Sequence, residues 1–321
     1  MNKKVLLILF CFLIIGLIFN GTSKATTNNF DQDVSKLDKK LNGKIISVEK
    51  VTFSEDYFEY SPIKKTPSID NTVIYNIKYL SDNLEVAGSI IKPKKKGNYP
   101  VIIFNRGGNR ELGRITKDTQ AFLSPIASKG YVIVGSQYRG NAGGKGNEEF
   151  GGQEINDVLN LVPLIKSLDF TIVNNIFMLG FSRGGMMSYI AIKEDIDVNA
   201  AAVLGGKTDL IETYNNRPDM RSMMENLIGC PPDECKEKYI KRSAYYWPDK
   251  IDIPVLILHG QNDSRVGINQ AKKLAEKLNE LDKSYKLKTY QDGHSLSCQY
   301  DDWTNEMYHW FDKYRDQIRK I

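Results

Sequence analysis

From residue 72 onward the chain alternates between apolar and other residues: Val73, Tyr75, Ile77 and Tyr79, then Ser81-Asp82-Asn83, then Leu84, Val86 and Ile90 with the same period. Alternation on both sides of a short polar turn predicts a β-hairpin. The pattern then changes to short apolar runs at residues 101–104, 131–134, 176–179, 200–204 and 255–258. Runs of that length suit strands covered on both faces. Between them, Ile155, Val158, Leu159, Val162 and Ile165, and later Ile268, Ala271, Ala275 and Leu278, recur at helical spacing. Pro163 predicts a bend in the first of these helices. A hairpin followed by repeated strand and helix implies an α/β fold: a mostly parallel central sheet, an antiparallel N-terminal hairpin, and helices on both faces.

With 321 residues, 41% of them hydrophobic and 26% charged, the chain suits one catalytic domain, placed at residues 66–321. Residues 26–65 are polar and irregular and read as a lead-in that packs on this domain. Residues 208–242, polar and Met-containing, are expected to form either a lid over the site or a surface helical excursion. Met220, Met223, Met224 and Leu227 would supply its apolar underside.

Residues 1–25 differ from the rest: Lys3 and Lys4 precede an apolar stretch at 5–19, followed by small and polar residues up to Ala25. This is the profile of a secretory signal peptide cleaved after Ala25. The apolar stretch is shorter than the roughly 20 residues of a spanning helix. The alternative is an uncleaved anchor, the one case in which a membrane would be a partner. Cys11, in mid-run after bulky Phe10, is not read as a lipid attachment site. The expected location is secreted or extracytoplasmic.

Losing Lys3, Lys4 and Lys24 would leave 41 basic side chains against 39 acidic ones, so the mature chain is nearly neutral. Lys94-Lys95-Lys96 after Pro93 reads as a solvated turn, and no nucleic-acid partner is expected. In an oxidising compartment Cys230 and Cys235 are candidates for a disulfide, although spacing alone leaves the pairing open. Cys298 reads as a partly buried spectator thiol.

The candidate chemistry centres on Gly180-Phe181-Ser182-Arg183-Gly184-Gly185, which joins an apolar run to a second apolar stretch at 186–190. A Gly-flanked serine between strand and helix is the context of a nucleophile elbow. Serine needs a base to take its proton, and the chain has three histidines, His259, His294 and His309. His294 is the candidate because it lies in the polar turn Gln291-Asp292-Gly293-His294-Ser295 after the alternating residues Tyr285, Leu287 and Thr289. His259 reads as a core or rim residue and His309 as a helix residue. The imidazole needs a carboxylate behind it, and Asp263, just past the strand at 255–258, is the candidate. Asp292 reads as a turn-former. The order Ser182, Asp263, His294 is that of α/β-hydrolases. The oxyanion donors are assigned to the backbone N–H of Arg183 and, in the loop Asn105-Arg106-Gly107-Gly108, to that of Arg106. Arg183 and Arg139 read as structural ion-pairing or turn residues ahead of a substrate-binding role. No metal or organic cofactor is implied.

These segments together resemble the catalytic domain of the prolyl oligopeptidase family of serine hydrolases, which has the α/β-hydrolase fold. The likeness runs from about residue 72 to the C-terminus. It is carried by Lys129-Gly130-Tyr131-Val132-Ile133-Val134, Tyr138-Arg139-Gly140, the elbow, Arg242-Ser243-Ala244, Asp249-Lys250-Ile251, Pro254-Val255-Leu256-Ile257-Leu258-His259-Gly260 and Asp263. Two departures matter. The oxyanion loop has Asn105-Arg106 where relatives often carry a histidine before the paired glycines. The 46 residues between Ala25 and the hairpin leave no room for the propeller that restricts large relatives to short peptides. The resemblance therefore implies a small-molecule ester or short peptide as substrate, with a serine-type peptidase slightly ahead of a carboxylesterase or deacetylase. A non-catalytic binding module on the same fold is the reading of a different class.

Overall fold

The computed structural model describes residues 42–317. The expected signal segment at 1–25 and residues 26–41 of the lead-in lie outside them. Among the described residues nine strands form one sheet: β1 (Ile45–Lys50), β2 (Thr72–Ser81), β3 (Leu84–Pro93), β4 (Tyr99–Asn105), β5 (Val132–Ser136), β6 (Thr171–Phe181), β7 (Ala200–Leu204), β8 (Val255–Gly260) and β9 (Tyr285–Tyr290). Their spatial order is β1-β2-β3-β5-β4-β6-β7-β8-β9. Pairing is antiparallel from β1 through β3 to β5 and parallel from β5 onward.

The hairpin forms as the alternation predicts. Asp82 and Asn83 take positive φ of 51° and 62°, the two-residue turn whose twist matches its strands. In β4 the side chains of Val101 and Ile103 enter one apolar cluster while Ile102 and Phe104 enter another on the opposite face. A strand buried on both sides has no polar positions, which accounts for its continuous apolar run. The first cluster is closed by helices Ile155–Leu159, Leu161–Lys166, Arg183–Lys193 and Ile268–Glu280. The second is closed by Lys117–Ser128 and Tyr300–Lys313. Pro163 cannot donate to the Leu159 carbonyl, and the predicted bend is a full break at Asn160.

Three parts of the fold differ from or refine the sequence reading. The irregular lead-in contains β1, which pairs with β2 as the edge strand. Its alternation is masked because Ile45 is its one buried residue, and charged residues are normal on a sheet edge. Residues 208–242 carry helices Leu210–Asn216, Pro218–Ile228 and Lys236–Ile240. Met224 and Ile228 are buried in the first cluster, with Met220, Met223 and Leu227 packed against it. Cys230 and Cys235 form a disulfide between the last two of these helices. Cys298 is exposed rather than partly buried, because it lies in a one-turn helix, Ser297–Gln299, on the surface.

Candidate active site

Ser182 sits at the point where β6 turns into the helix Arg183–Lys193, with φ 56° and ψ −115°. Positive φ is costly for a residue with a Cβ, and such geometry persists where surrounding contacts enforce it. Those contacts are present: Ser182 N donates to Leu204 O at 2.9 Å, and Ser182 O accepts from Gly185 N at 3.0 Å. The flanking glycines have steric reasons. A Cβ on Gly184 would lie 1.8 Å from the Asn105 carbonyl oxygen, and one on Gly180 would lie 2.4 Å from Ser188 Oγ. A side chain at Gly184 would push the end of β4 away from the elbow, and one at Gly180 would collide with Gly184 and Ser188 of the helix that follows.

Asp263 follows β8, and its Oδ1 accepts backbone N–H groups from Arg265 (2.8 Å) and Val266 (2.9 Å). Its Oδ2 lies 2.7 Å from His294 Nδ1 and 3.3 Å from His259 Nε2. A carboxylate only accepts, so the His294 proton is on Nδ1 and Nε2 is free to take one. Burial would raise the Asp263 carboxyl, but the hydrogen bonds from His259 and His294 and the charge of His294 outweigh it and hold it far below the usual range. Burial lowers His294 below its ordinary value, against the hydrogen bond and charge of Asp263 that favour the cation. Lys207 and Arg265 reinforce the lowering.

Gly205 joins the serine and histidine sides of the site. It follows Leu204, the hydrogen-bond partner of Ser182, and a Cβ added to it would sit 3.1 Å from His294 Nδ1. The end of β7 thus carries the backbone contact of Ser182 and the surface on which the imidazole rests. Opposite, a Cβ on Gly107 would approach Ser182 Cβ to 3.3 Å, so the loop after β4 runs close past the serine.

The arginines are structural, as the sequence reading favoured. Arg183 is buried, with its guanidinium on Glu148, on Glu154 (2.7 Å) and on the Gly108 carbonyl (3.2 Å). Arg139 binds Asp157 at 2.8 Å and Asp82 at 2.9 Å. The Arg106 side chain is buried and donates to the carbonyls of Gly107, Arg110, Leu112 and Gln137, bracing its own loop. Tyr138 is stacked between the Arg106 and Arg183 guanidiniums, 4.9 and 4.8 Å from its ring centre. His259 is buried with Nε2 on the Val266 carbonyl (2.8 Å), His309 is exposed on the last helix, and Asp292 binds the N–H groups of Gly293 and Cys298 in the turn. Sequence reasoning named the loop that contains Gly107 but missed Gly205 and the contact of His259 with Asp263. The Gly205-Gly206 pair directly after a buried strand was the available signal.

A parallel sheet with a strained serine elbow and a histidine–aspartate pair beyond later strands is the architecture of an α/β-hydrolase. Residues 118–317 match the sequence model of the prolyl oligopeptidase family. The chain belongs to that family and is a serine hydrolase. It is 36% identical to the uncharacterized peptidase YtmA of Bacillus subtilis over 211 residues, 65% of this chain and 81% of that protein. It is 26% identical to mouse dipeptidyl peptidase 8 over 293 residues, 82% of this chain but 32% of that one. In fold it is similar to Pyrococcus horikoshii acylaminoacyl peptidase, with a TM-score of 0.67 at 23% identity over 78% of this chain and 43% of that one. The chain thus spans under half the length of the larger relatives.

Proposed function

We propose that this protein hydrolyses peptide bonds through a Ser182-His294-Asp263 triad. The observation that carries the reading is the Asp263–His294 hydrogen bond at 2.7 Å, with the imidazole against Gly205, the residue after the Leu204 whose carbonyl accepts from Ser182 N. Ser182 Oγ attacks the carbonyl carbon while His294 Nε2 takes its proton, and Asp263 stabilises the imidazolium that forms. His294 then protonates the leaving amine, and Ser182 holds the acyl group as an ester. Water, deprotonated by His294, attacks that ester and releases the acid. The oxyanion is met by the N–H of Arg183 and by an N–H of the Arg106-Gly107-Gly108 loop, whose close passage at Gly107 supports the second assignment.

The relatives favour a peptide over an ester. The two curated relatives named above are peptidases by name, and one similar structure is an acylaminoacyl peptidase in complex with Z-Gly-Gly-Phe-chloromethyl ketone. Export belongs to the same proposal: residues 1–25 have the profile of a signal peptide, and the Cys230–Cys235 disulfide suits an oxidising compartment. The test is a paired panel of chromogenic peptides and esters with the wild type and Ser182→Ala. Peptide hydrolysis that disappears in the variant is the expected result. Turnover that survives the substitution would remove Ser182 from the chemistry, and turnover of esters alone would replace peptidase by esterase.

A further inference from the structure

Lys207 lies three residues beyond Leu204 and is 4% exposed. Its backbone N–H contacts the Ser182 carbonyl at 3.4 Å. Beyond it, the N–H groups of Thr208 and Asp209 share Gln270 Oε1 at 3.0 and 3.1 Å, so the segment carrying Lys207 is pinned at both ends. Other buried cations of this domain are hydrogen-bonded: Arg139 to Asp157, Arg183 to Glu154, Arg106 and Arg242 to backbone carbonyls. Lys207 forms no ion pair among the described residues.

The carboxylates whose charge reaches Lys207 are already committed elsewhere. Asp263 is held by His294, His259 and two backbone N–H groups. Asp219 is gripped by Arg217 at 2.6 and 2.9 Å. Arg217 and Arg265 add positive charge around the same ammonium. A nearly buried cation with no ion pair among the described residues is costly to fold, and the backbone of this one adjoins that of Ser182. Its burial, with Arg217 and Arg265 adding to the effect, lowers it to about 8, so it is still largely charged at neutral pH.

We infer that the ammonium of Lys207 receives a carboxylate of the substrate next to the bond that Ser182 attacks, making the enzyme selective for acidic peptides. This rests on the peptidase reading above and names its substrate class. The carboxylate has two sources, an Asp or Glu side chain flanking the bond or the free C-terminus of a short peptide.

Matched peptides separate them: Glu against Gln and Asp against Asn on each side of the bond, and free acid against C-terminal amide. The quantity read is the ratio of kcat/KM for each acidic peptide over its neutral isostere in wild type, Lys207→Met and Lys207→Arg, so general damage cancels. The wild type should favour one acidic set by about tenfold or more, the scale of a charge-assisted hydrogen bond. Lys207→Met should erase that ratio through KM, and Lys207→Arg should keep part of it. A wild type indifferent to every carboxylate, or a Lys207→Met enzyme that keeps the preference, overturns the inference. The same peptides titrated calorimetrically into Ser182→Ala read the preference without turnover. An enzyme that hydrolyses nothing thus refutes the peptidase reading, while equal binding of acidic and neutral peptides refutes the role of Lys207.

Discussion

His294 Nδ1 lies 2.7 Å from Asp263 Oδ2, and the other oxygen of that carboxylate is held by two backbone N–H groups. The imidazole is therefore oriented by a group that cannot itself rotate freely, with its proton on the nitrogen that faces Asp263. Asp263→Asn offers an amide N–H where a carboxylate oxygen stood and favours the other tautomer. We expect kcat to fall by a factor on the order of 10³–10⁴, as removal of the orienting carboxylate does in such triads, with KM little changed. A loss under about tenfold would show that Asp263 is dispensable.

The pH profile has a defined sign. As the proposed base His294 must be neutral, and burial lowers it from 6.5. The acid limb of kcat/KM should therefore have its midpoint below 6.5 and activity should persist into mildly acidic solution. The hydrogen bond and charge of Asp263 favour protonated His294, so in Asp263→Asn the residual activity should show a midpoint shifted to still lower pH. A shift upward would contradict this electrostatic picture.

Gly205 has φ +57°, and its missing Cβ leaves the space that the His294 ring occupies, 3.1 Å from Nδ1. Gly205→Ala should push the imidazole off its seat and strain the backbone as well. The ring must give by a few tenths of an ångström, less than the 1 Å misplacement that costs on the order of 10² in rate, so a loss of about tenfold is expected in kcat with the fold retained by circular dichroism. Near-normal turnover would mean that the histidine is not seated on β7.

Arg183 lies inside the domain between Glu148 and Glu154, with Phe150 and Tyr138 on its faces. Replacing it by Met keeps the packing volume but leaves two carboxylates without their cation. Removing one partner of a buried pair costs about 3–5 kcal/mol, which urea denaturation would register as a lower midpoint. A change under about 1 kcal/mol would indicate that water already compensates these carboxylates.

Much of this site could be read from the chain because its local demands are severe. Gly180 and Gly184 stand where a Cβ would meet backbone within 2.5 Å, and such steric necessity leaves a spaced motif. The inner strands of the parallel region, such as β4, β5, β7 and β8, were legible because burial on two faces leaves runs of apolar residues. The edge strand β1 was not, since five of its six residues are not buried and nothing enforces a pattern. Glu148 and Glu154, the partners of Arg183, were also hidden: they lie 35 and 29 positions upstream, and no local periodicity links residues that meet only when the sheet assembles. The same holds for Lys207, whose isolation emerges from where Asp219 and Asp263 direct their oxygens.

Labelling with a fluorophosphonate probe tests the central claim most directly, because only an activated serine reacts at a useful rate. Wild type should label at a single site, Ser182 by peptide mapping, and Ser182→Ala and His294→Ala should lose the label while remaining folded. A folded wild-type protein that does not label, or a label retained in Ser182→Ala, would contradict the assignment of Ser182 as the nucleophile.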